Sequence, residues 1–354
     1  MYYLNENVEN LYRIFDQNSR EEYLRLDLNE NPGGLPEEFI KSVLDTVTPQ
    51  FVAQYPETKE FTQKLGNRIG AKLEEICLVN GSAEGIRHII EAYSRPGGTI
   101  LSVAPSYAMY EVYSKMYGRK HVGVPYEDDL SFDVDKFVDA ITPETDIVVV
   151  LNPNNPMGDV YSYEDMDKIV AAAKENEATV LIDEAYFYFY PNSFVKYALE
   201  NDHVFLTRTF SKLFSLAGCR LGYVVGQAEG IAMIQKLCTP HNVNAFAMKF
   251  AQSIMETDGM IESLIKKQLD GKEHLVSELR KHGYEVNAKE GNFVFIRPKT
   301  DADTLVKKMK AEKMILIKSY HGIGDLDDCL RVTTGEAELM DIFIDALLEL
   351  DKSC

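Results

Sequence analysis

The chain of 354 residues predicts an α/β protein. Its larger part should be a mostly parallel sheet covered by helices, followed by a smaller α+β domain. Two observations predict this. Short apolar, β-branched runs alternate with helical patterns along most of the chain, which is how a parallel sheet with helices on both faces reads. From about Asn242 the texture changes to two long helical stretches, then short strands with helices between them.

The elements follow in order. Apolar runs at residues 76–79, 100–104, 147–151, 180–182, 204–206 and 221–225 read as strands of the large sheet. Ile86, Ile89, Ile90 and Tyr93 recur at i, i+3, i+4 and i+7, one face of a helix, and residues 164–173 read as another. In the second part, residues 284–286, 293–296, 315–317 and 330–332 read as short strands. Proline disfavours helix in the residue before it, so the join is expected at Thr239-Pro240. The expected division is an arm at 1–30, packing on the small domain or on a partner subunit, a large domain at 31–240 and a small domain at 241–354.

Composition excludes several classes. With 37 basic and 56 acidic residues the net charge is −19, so sequence-independent nucleic-acid binding, which needs a basic face, is not expected. Any anionic ligand must be held by local cations. The cysteines Cys77, Cys219, Cys238, Cys329 and Cys354 form no C-x-x-C pair, which argues against a disulfide framework or zinc site and suits a reducing cytoplasm. The histidines are scattered, and no metal site is expected. The N-terminus has no basic-then-apolar signal pattern, and no apolar run approaches the roughly 20 residues that span a bilayer.

Four segments fall at strand ends, where ligands of such sheets collect. Asn80-Gly81-Ser82-Ala83 is a glycine turn opening a helix, suited to a phosphate, although a helix cap would read the same. Asn152 to Gly158 is a rigid, amide-rich loop, or simply a turn. Asp183-Glu184-Ala185-Tyr186 ends a buried strand with a carboxylate that needs a cationic or hydrogen-bonding partner. Thr209-Phe210-Ser211-Lys212 precedes Gly218-Cys219-Arg220. A lysine among apolar residues loses its proton more easily and attacks carbonyls, and an arginine offers a fork for phosphate. Asn155, Asp183 and Lys212 lie 28 and 29 residues apart. That is about one strand–helix–strand step each, which brings all three to one sheet edge.

N-P-N-N-P-x-G at 152–158, D-E-A-Y at 183–186 and S-K-x-F-x-x-A-G-x-R at 211–220, in this order, resemble the fold-type-I pyridoxal-phosphate aminotransferases, closest to the histidinol-phosphate aminotransferase group. Leu28-Asn29-Glu30-Asn31-Pro32, Tyr55-Pro56, the segment Pro105 to Tyr110 and the segment Leu330 to Gly335 match that group too. The resemblance implies pyridoxal 5′-phosphate held as a Schiff base on Lys212, which also moves the substrate proton. It implies that Asp183 pairs with the pyridine nitrogen, Asn155 and Tyr186 with the ring's phenolic oxygen, and Tyr107 with the ring face. Ser82, Ala83, Ser211 and Arg220 would hold the phosphate, with Tyr55 reaching the phosphate of the neighbouring subunit in a homodimer. Arg331, Lys318 and Asn29 would face a small-molecule amino donor or its 2-oxo acid acceptor.

Three departures bear on the substrate. Lys318 stands where the group usually has an arginine for the substrate phosphate, Met157 replaces a usual threonine, and the arm lacks the Tyr-x-Pro-Gly segment, for which Tyr12 and Tyr23 are stand-ins. A phospho-amino-acid decarboxylase on the same scaffold is the alternative reaction, and a non-catalytic binding module the alternative class.

Overall fold

The computed structural model describes residues 3–9, 11 and 19–352; Tyr12 and Cys354 lie outside them. Its strands, in chain order, are β1 Leu24–Arg25, β2 Ile76–Val79, β3 Thr99–Ala104, β4 Lys120–Pro125, β5 Thr145–Leu151, β6 Thr179–Asp183, β7 Val204–Thr209, β8 Gly222–Val225, β9 Glu285–Asn287, β10 Phe293–Arg297, β11 Ile315–Leu316, β12 Lys318–Tyr320 and β13 Cys329–Thr333. Seven of them form one sheet in the order β2-β8-β7-β6-β5-β3-β4. Only β8 runs antiparallel to its neighbours. The carboxyl ends of the other strands and the start of β8 therefore share one edge. Strands β5, β6 and β8 are buried at every residue, as a sheet covered on both faces requires.

β4 has no counterpart in the sequence reading. It is an edge strand with only Val124 buried, and its polar KHVGVP sequence carries no apolar run.

The second sheet is antiparallel, in the order β12-β13-β10-β9. Residues 24–26 of the arm run along this part: β1 pairs with β11, and the Leu26 carbonyl accepts from the Thr333 amide at 2.8 Å. The apolar cores move the domain junction. Val243, Ala247, Met248, Ala251 and Ile254 pack into the core of the large sheet. The long helix Met260–Lys281 places Ile261 and Leu264 in that core but Leu275 and Leu279 in the core of the small sheet. The changeover thus falls inside this helix, not at Thr239-Pro240. Amphipathic continuity along the chain outweighs the proline as a boundary signal. Met157 fills a third cluster with Leu130, Phe295, Ile323, Leu326 and Cys329, which joins the Asn-Pro loop to the small sheet.

Behind the large sheet edge, Glu184 and Arg208 form a buried pair at 2.7 Å. Glu184 also accepts from the Phe194 amide at 2.6 Å, and the guanidinium lies 3.7 Å over the Phe187 ring. Removing one partner of such a pair strands a buried charge. Arg208→Met is expected to lower unfolding free energy by about 3–5 kcal/mol, read by denaturant titration. The double variant Arg208→Met, Glu184→Leu should regain most of that loss. Equal instability of the single and double variants would show that packing, not the stranded carboxylate, sets the cost.

Among the described residues no helix is long and apolar enough to cross a membrane. Among these residues, too, no group of three or more His, Cys, Asp or Glu is placed to hold a metal ion.

Candidate active site

A cavity of about 490 Å³ opens at the shared edge of the large sheet, under the small sheet. Ser82, Ala83, Tyr107, Asn155, Asp183, Tyr186, Ser211, Lys212, Arg220, Asn29, Lys318 and Arg331 all line it. Tyr55 stands apart: it is 78% exposed and stacks on His241, with ring centroids 4.5 Å apart.

Local chemistry explains how each residue gets there. After β2 the chain turns at Gly81 with φ +80, a conformation that favours glycine. A Cβ at Gly81 would also meet the Arg220 guanidinium at 2.5 Å. At Gly222 a Cβ would lie 2.4 Å from the Ser82 amide nitrogen, so glycine there lets β8 close against the start of the helix Ser82–Tyr93. The result is a cradle of helix N-terminal amides, the Ser211 hydroxyl and the Arg220 guanidinium, which donates to Ser211 Oγ at 3.3 Å.

Asp183 ends β6 and is buried. It accepts from Tyr110 Oη at 2.9 Å, from the Ala185 amide at 3.1 Å and from Thr207 Oγ1 at 3.3 Å. Burial nevertheless pushes its carboxyl up to about 6, against the opposing pull of those donors. Such a group gains by meeting a cation. Lys212 donates to the Leu28 carbonyl at 2.9 Å, with its Nζ 5.8 Å from the Tyr186 ring centre. Burial first, then the Arg331 charge, brings its amine down to about 8.

Asn155 Oδ1 accepts from Arg331 at 2.8 Å, which leaves its amide N–H groups for a ligand in the cavity. Asn152 and Asn154 serve the loop itself: the first accepts from the Tyr161 amide, the second bonds Ser106, Pro105 and Tyr126. The turn reading holds for those two. Tyr186 Oη accepts from Asn29 Nδ2 at 2.9 Å, so its own proton is free to donate. Burial raises that hydroxyl to about 12 and keeps the proton on.

Asn29 was expected to face substrate. It lines the cavity, and its side chain also bonds Tyr186 and Thr333 Oγ1, 3.2 Å away, tying the arm, the large domain and β13 together. Residues that sequence reasoning missed serve the same end. Tyr110 and Thr207 hold Asp183, while Tyr320 lies 5.4 Å from the Arg331 guanidinium. Tyr110 was within reach, since it closes the segment that begins at Pro105 and lies three residues beyond Tyr107.

Arg331 on β13 is 3% exposed. It donates to Asn155 and, at 2.5 Å, to the Asp27 carbonyl, while its Nε has no partner. Lys318 is its direct cross-strand neighbour. Like charges directly opposite each other on a sheet repel. Burial, then Arg331, lowers the Lys318 amine.

The class I and II aminotransferase family model matches residues 21–347. The chain belongs to this family. It is 33% identical over 330 residues to the histidinol-phosphate aminotransferase of Thermoanaerobacter pseudethanolicus, covering 92% of each chain. Among solved structures, the histidinol-phosphate aminotransferase of Clostridium acetobutylicum matches with a TM-score of 0.82 and 26% identity, over 93% of this chain and 99% of that one. The fold is also shared with the Sinorhizobium meliloti histidinol-phosphate aminotransferase determined with pyridoxal-5′-phosphate, at a TM-score of 0.88 and 20% identity over 99% and 98% of the two chains.

This aminotransferase uses pyridoxal 5′-phosphate, and its substrates are small amino and keto compounds. Relatives this similar over most of the chain disfavour the decarboxylase alternative. The cavity fits the cofactor on its own chemistry. It offers an amine of lowered basicity at Lys212, a buried carboxylate with an unmet need for a cation at Asp183, and an amide-lined cradle for a phosphate.

Proposed function

We propose that this aminotransferase moves an amino group between an amino-phosphate or amino acid and a 2-oxo acid, seating the substrate's anionic group between Arg331 and Lys318. One observation carries the reading. Two cations face each other directly across β12 and β13, on the wall of the cavity that holds Lys212. Without an anion between them the pair is repulsive; with one, both charges are met and the unpartnered Arg331 Nε gains an acceptor. Histidinol phosphate fits, and so do amino acids presenting a carboxylate.

When bound, pyridoxal phosphate supplies an aldehyde and an electron-withdrawing ring that accepts the electron pair left as the substrate's α-proton departs. The chain does the rest. Lys212 would supply the amine that holds the cofactor and carry the proton at the α-carbon. Asp183, held by Tyr110 and Thr207, would keep the ring nitrogen protonated. Asn155 and Tyr186 would donate to the ring's phenolic oxygen, and Tyr107 would cover the ring face. The Ser82 and Ala83 amides, Ser211 and Arg220 would hold the phosphate. Tyr55, exposed and outside its own cavity, reaches the phosphate of a second copy, so the active unit is a homodimer. The free cysteines suit a reducing cytoplasm.

The purified yellow protein is to be mixed with histidinol phosphate, histidinol, aspartate, glutamate, aromatic amino acids and phospho-amino acids, following bleaching of the visible band. Histidinol, which lacks the anion, is expected to react at least about 30-fold more slowly than histidinol phosphate, as losing a buried charge contact costs 2 kcal/mol or more. Equal rates would sink the proposal.

A further inference from the structure

Away from the cavity, Cys77 on β2 and Cys238 just beyond the helix Ala228–Gln235 bring their sulfur atoms to 3.7 Å across 161 residues of chain. Cys77 is 3% exposed, and Cys238 is half-buried. Beside them lies His88, which is 2% exposed and has no hydrogen-bond partner at either ring nitrogen. The Glu91 carboxylate stands 4.0 Å from its Nδ1. A buried imidazole without partners calls for a reason.

The two sulfurs are unlike. Contact with Cys77 first, then the nearby His88, holds the Cys238 thiol below its ordinary value, with burial and Glu84 opposing. The same contact, then burial, drives the Cys77 thiol up, so it keeps its proton. Cys219 and Cys329 have no such neighbours, and burial raises both. A half-buried sulfur against a fully buried one is the division between an attacking and a resolving cysteine.

We propose that Cys77 and Cys238 form a reversible dithiol–disulfide site whose oxidant is hydrogen peroxide, with Cys238 attacking and Cys77 resolving. The Cys238 thiolate attacks one peroxide oxygen: an S–O bond forms, the O–O bond breaks, and the departing hydroxide takes up a proton to leave as water. The Cys77 sulfur then displaces the hydroxyl: the S–S bond forms, the S–O bond breaks, and the Cys77 proton leaves with that hydroxyl as a second water. Two thiols are oxidised and one peroxide is reduced. A disulfide has its sulfurs about 2.0 Å apart, so the approach still needed from 3.7 Å is about 1.7 Å. The bond staples β2, which ends in the phosphate cradle, to the segment where Asn242 already donates to the Leu78 carbonyl at 2.9 Å.

The test treats the holoenzyme with hydrogen peroxide, blocks free thiols with N-ethylmaleimide and maps a non-reducing digest by mass spectrometry. A cross-linked Cys77–Cys238 peptide lacking both thiol hydrogens, and lost on adding dithiothreitol, is expected. Iodoacetamide at pH 7 should label Cys238 in the untreated enzyme about tenfold or more faster than Cys219. Both cysteines still carrying maleimide after peroxide would overturn the proposal, as would Cys238 sulfinic acid beside a labelled Cys77. In Cys77→Ser the Cys238 sulfenic acid should persist and be trapped by dimedone; a folded variant that gives no adduct counts against the assignment. The wild-type map decides the matter without any variant.

Discussion

Lys212→Ala is expected to cut transamination by about 10⁴-fold or more and to remove the yellow visible band of the purified protein. The amine is both the anchor for the cofactor and the proton carrier; Arg220 and Arg331 are cations that cannot lose a proton, and Lys318 sits on the small sheet opposite Arg331. The pH dependence has a definite sign. A protonated amine has no lone pair, and burial with the Arg331 charge brings Lys212 from 10.5 to about 8. Uptake of pyridoxal phosphate by the apoprotein should therefore speed up about tenfold per pH unit below pH 8 and level off above it. A rate still climbing towards pH 10 would mean that the amine is not perturbed. Survival of the visible band and of transamination in Lys212→Ala would leave a binding module rather than an enzyme.

Asp183→Asn is expected to act in opposite directions on activity and on stability. Turnover should fall by about 10²–10³-fold, the scale of losing one preorganised charge contact. The cofactor-free protein should become more stable. The Asp183 carboxyl rises from 3.8 to about 6 through burial, so above pH 6 the folded protein carries a charge that the unfolded chain solvates better. That cost is about 3 kcal/mol at pH 7, declines as pH falls through 6 and vanishes below about 3.8. Asparagine removes the charge, though it fits Tyr110 and the Ala185 amide less well, so a net gain of about 1–2 kcal/mol at pH 7 is expected. Denaturant titration of both apoproteins at pH 7 and near pH 4 measures it. A variant destabilised equally at both pH values would show that the hydrogen bonds, not the charge, dominate. A destabilising carboxylate kept in the site is what a group awaiting a cationic ring nitrogen should look like.

Much of this was legible in the chain. β5, β6 and β8 are buried on both faces, so their apolar runs stand out without any partner being known. β4 did not, because an edge strand buries one residue in six and leaves no apolar run to read. Thr239-Pro240 misplaced the junction because proline reports only local backbone preference, while the course of the cores depends on which residues of the helix at 260–281 face which sheet. Asn29 was placed near substrate because its segment matched the family. Its hydrogen bonds run to residues 157 and 304 positions away, and no local pattern contains them.

The sequence by itself determined the sheet and the identity and order of the groups that converge at its edge, Asn155, Asp183, Lys212 and Arg220. Strand and turn chemistry is local, and the strand–helix–strand spacing delivers each group to the same side. Only the tertiary structure decided which polar atoms remain free there. It spends Asn152 and Asn154 on the scaffold, bonds Asn29 to Tyr186 and Thr333, sets Lys318 against Arg331, and brings Cys77 beside Cys238. Those outcomes depend on distances between segments far apart in the chain, which close packing sets and residue order does not.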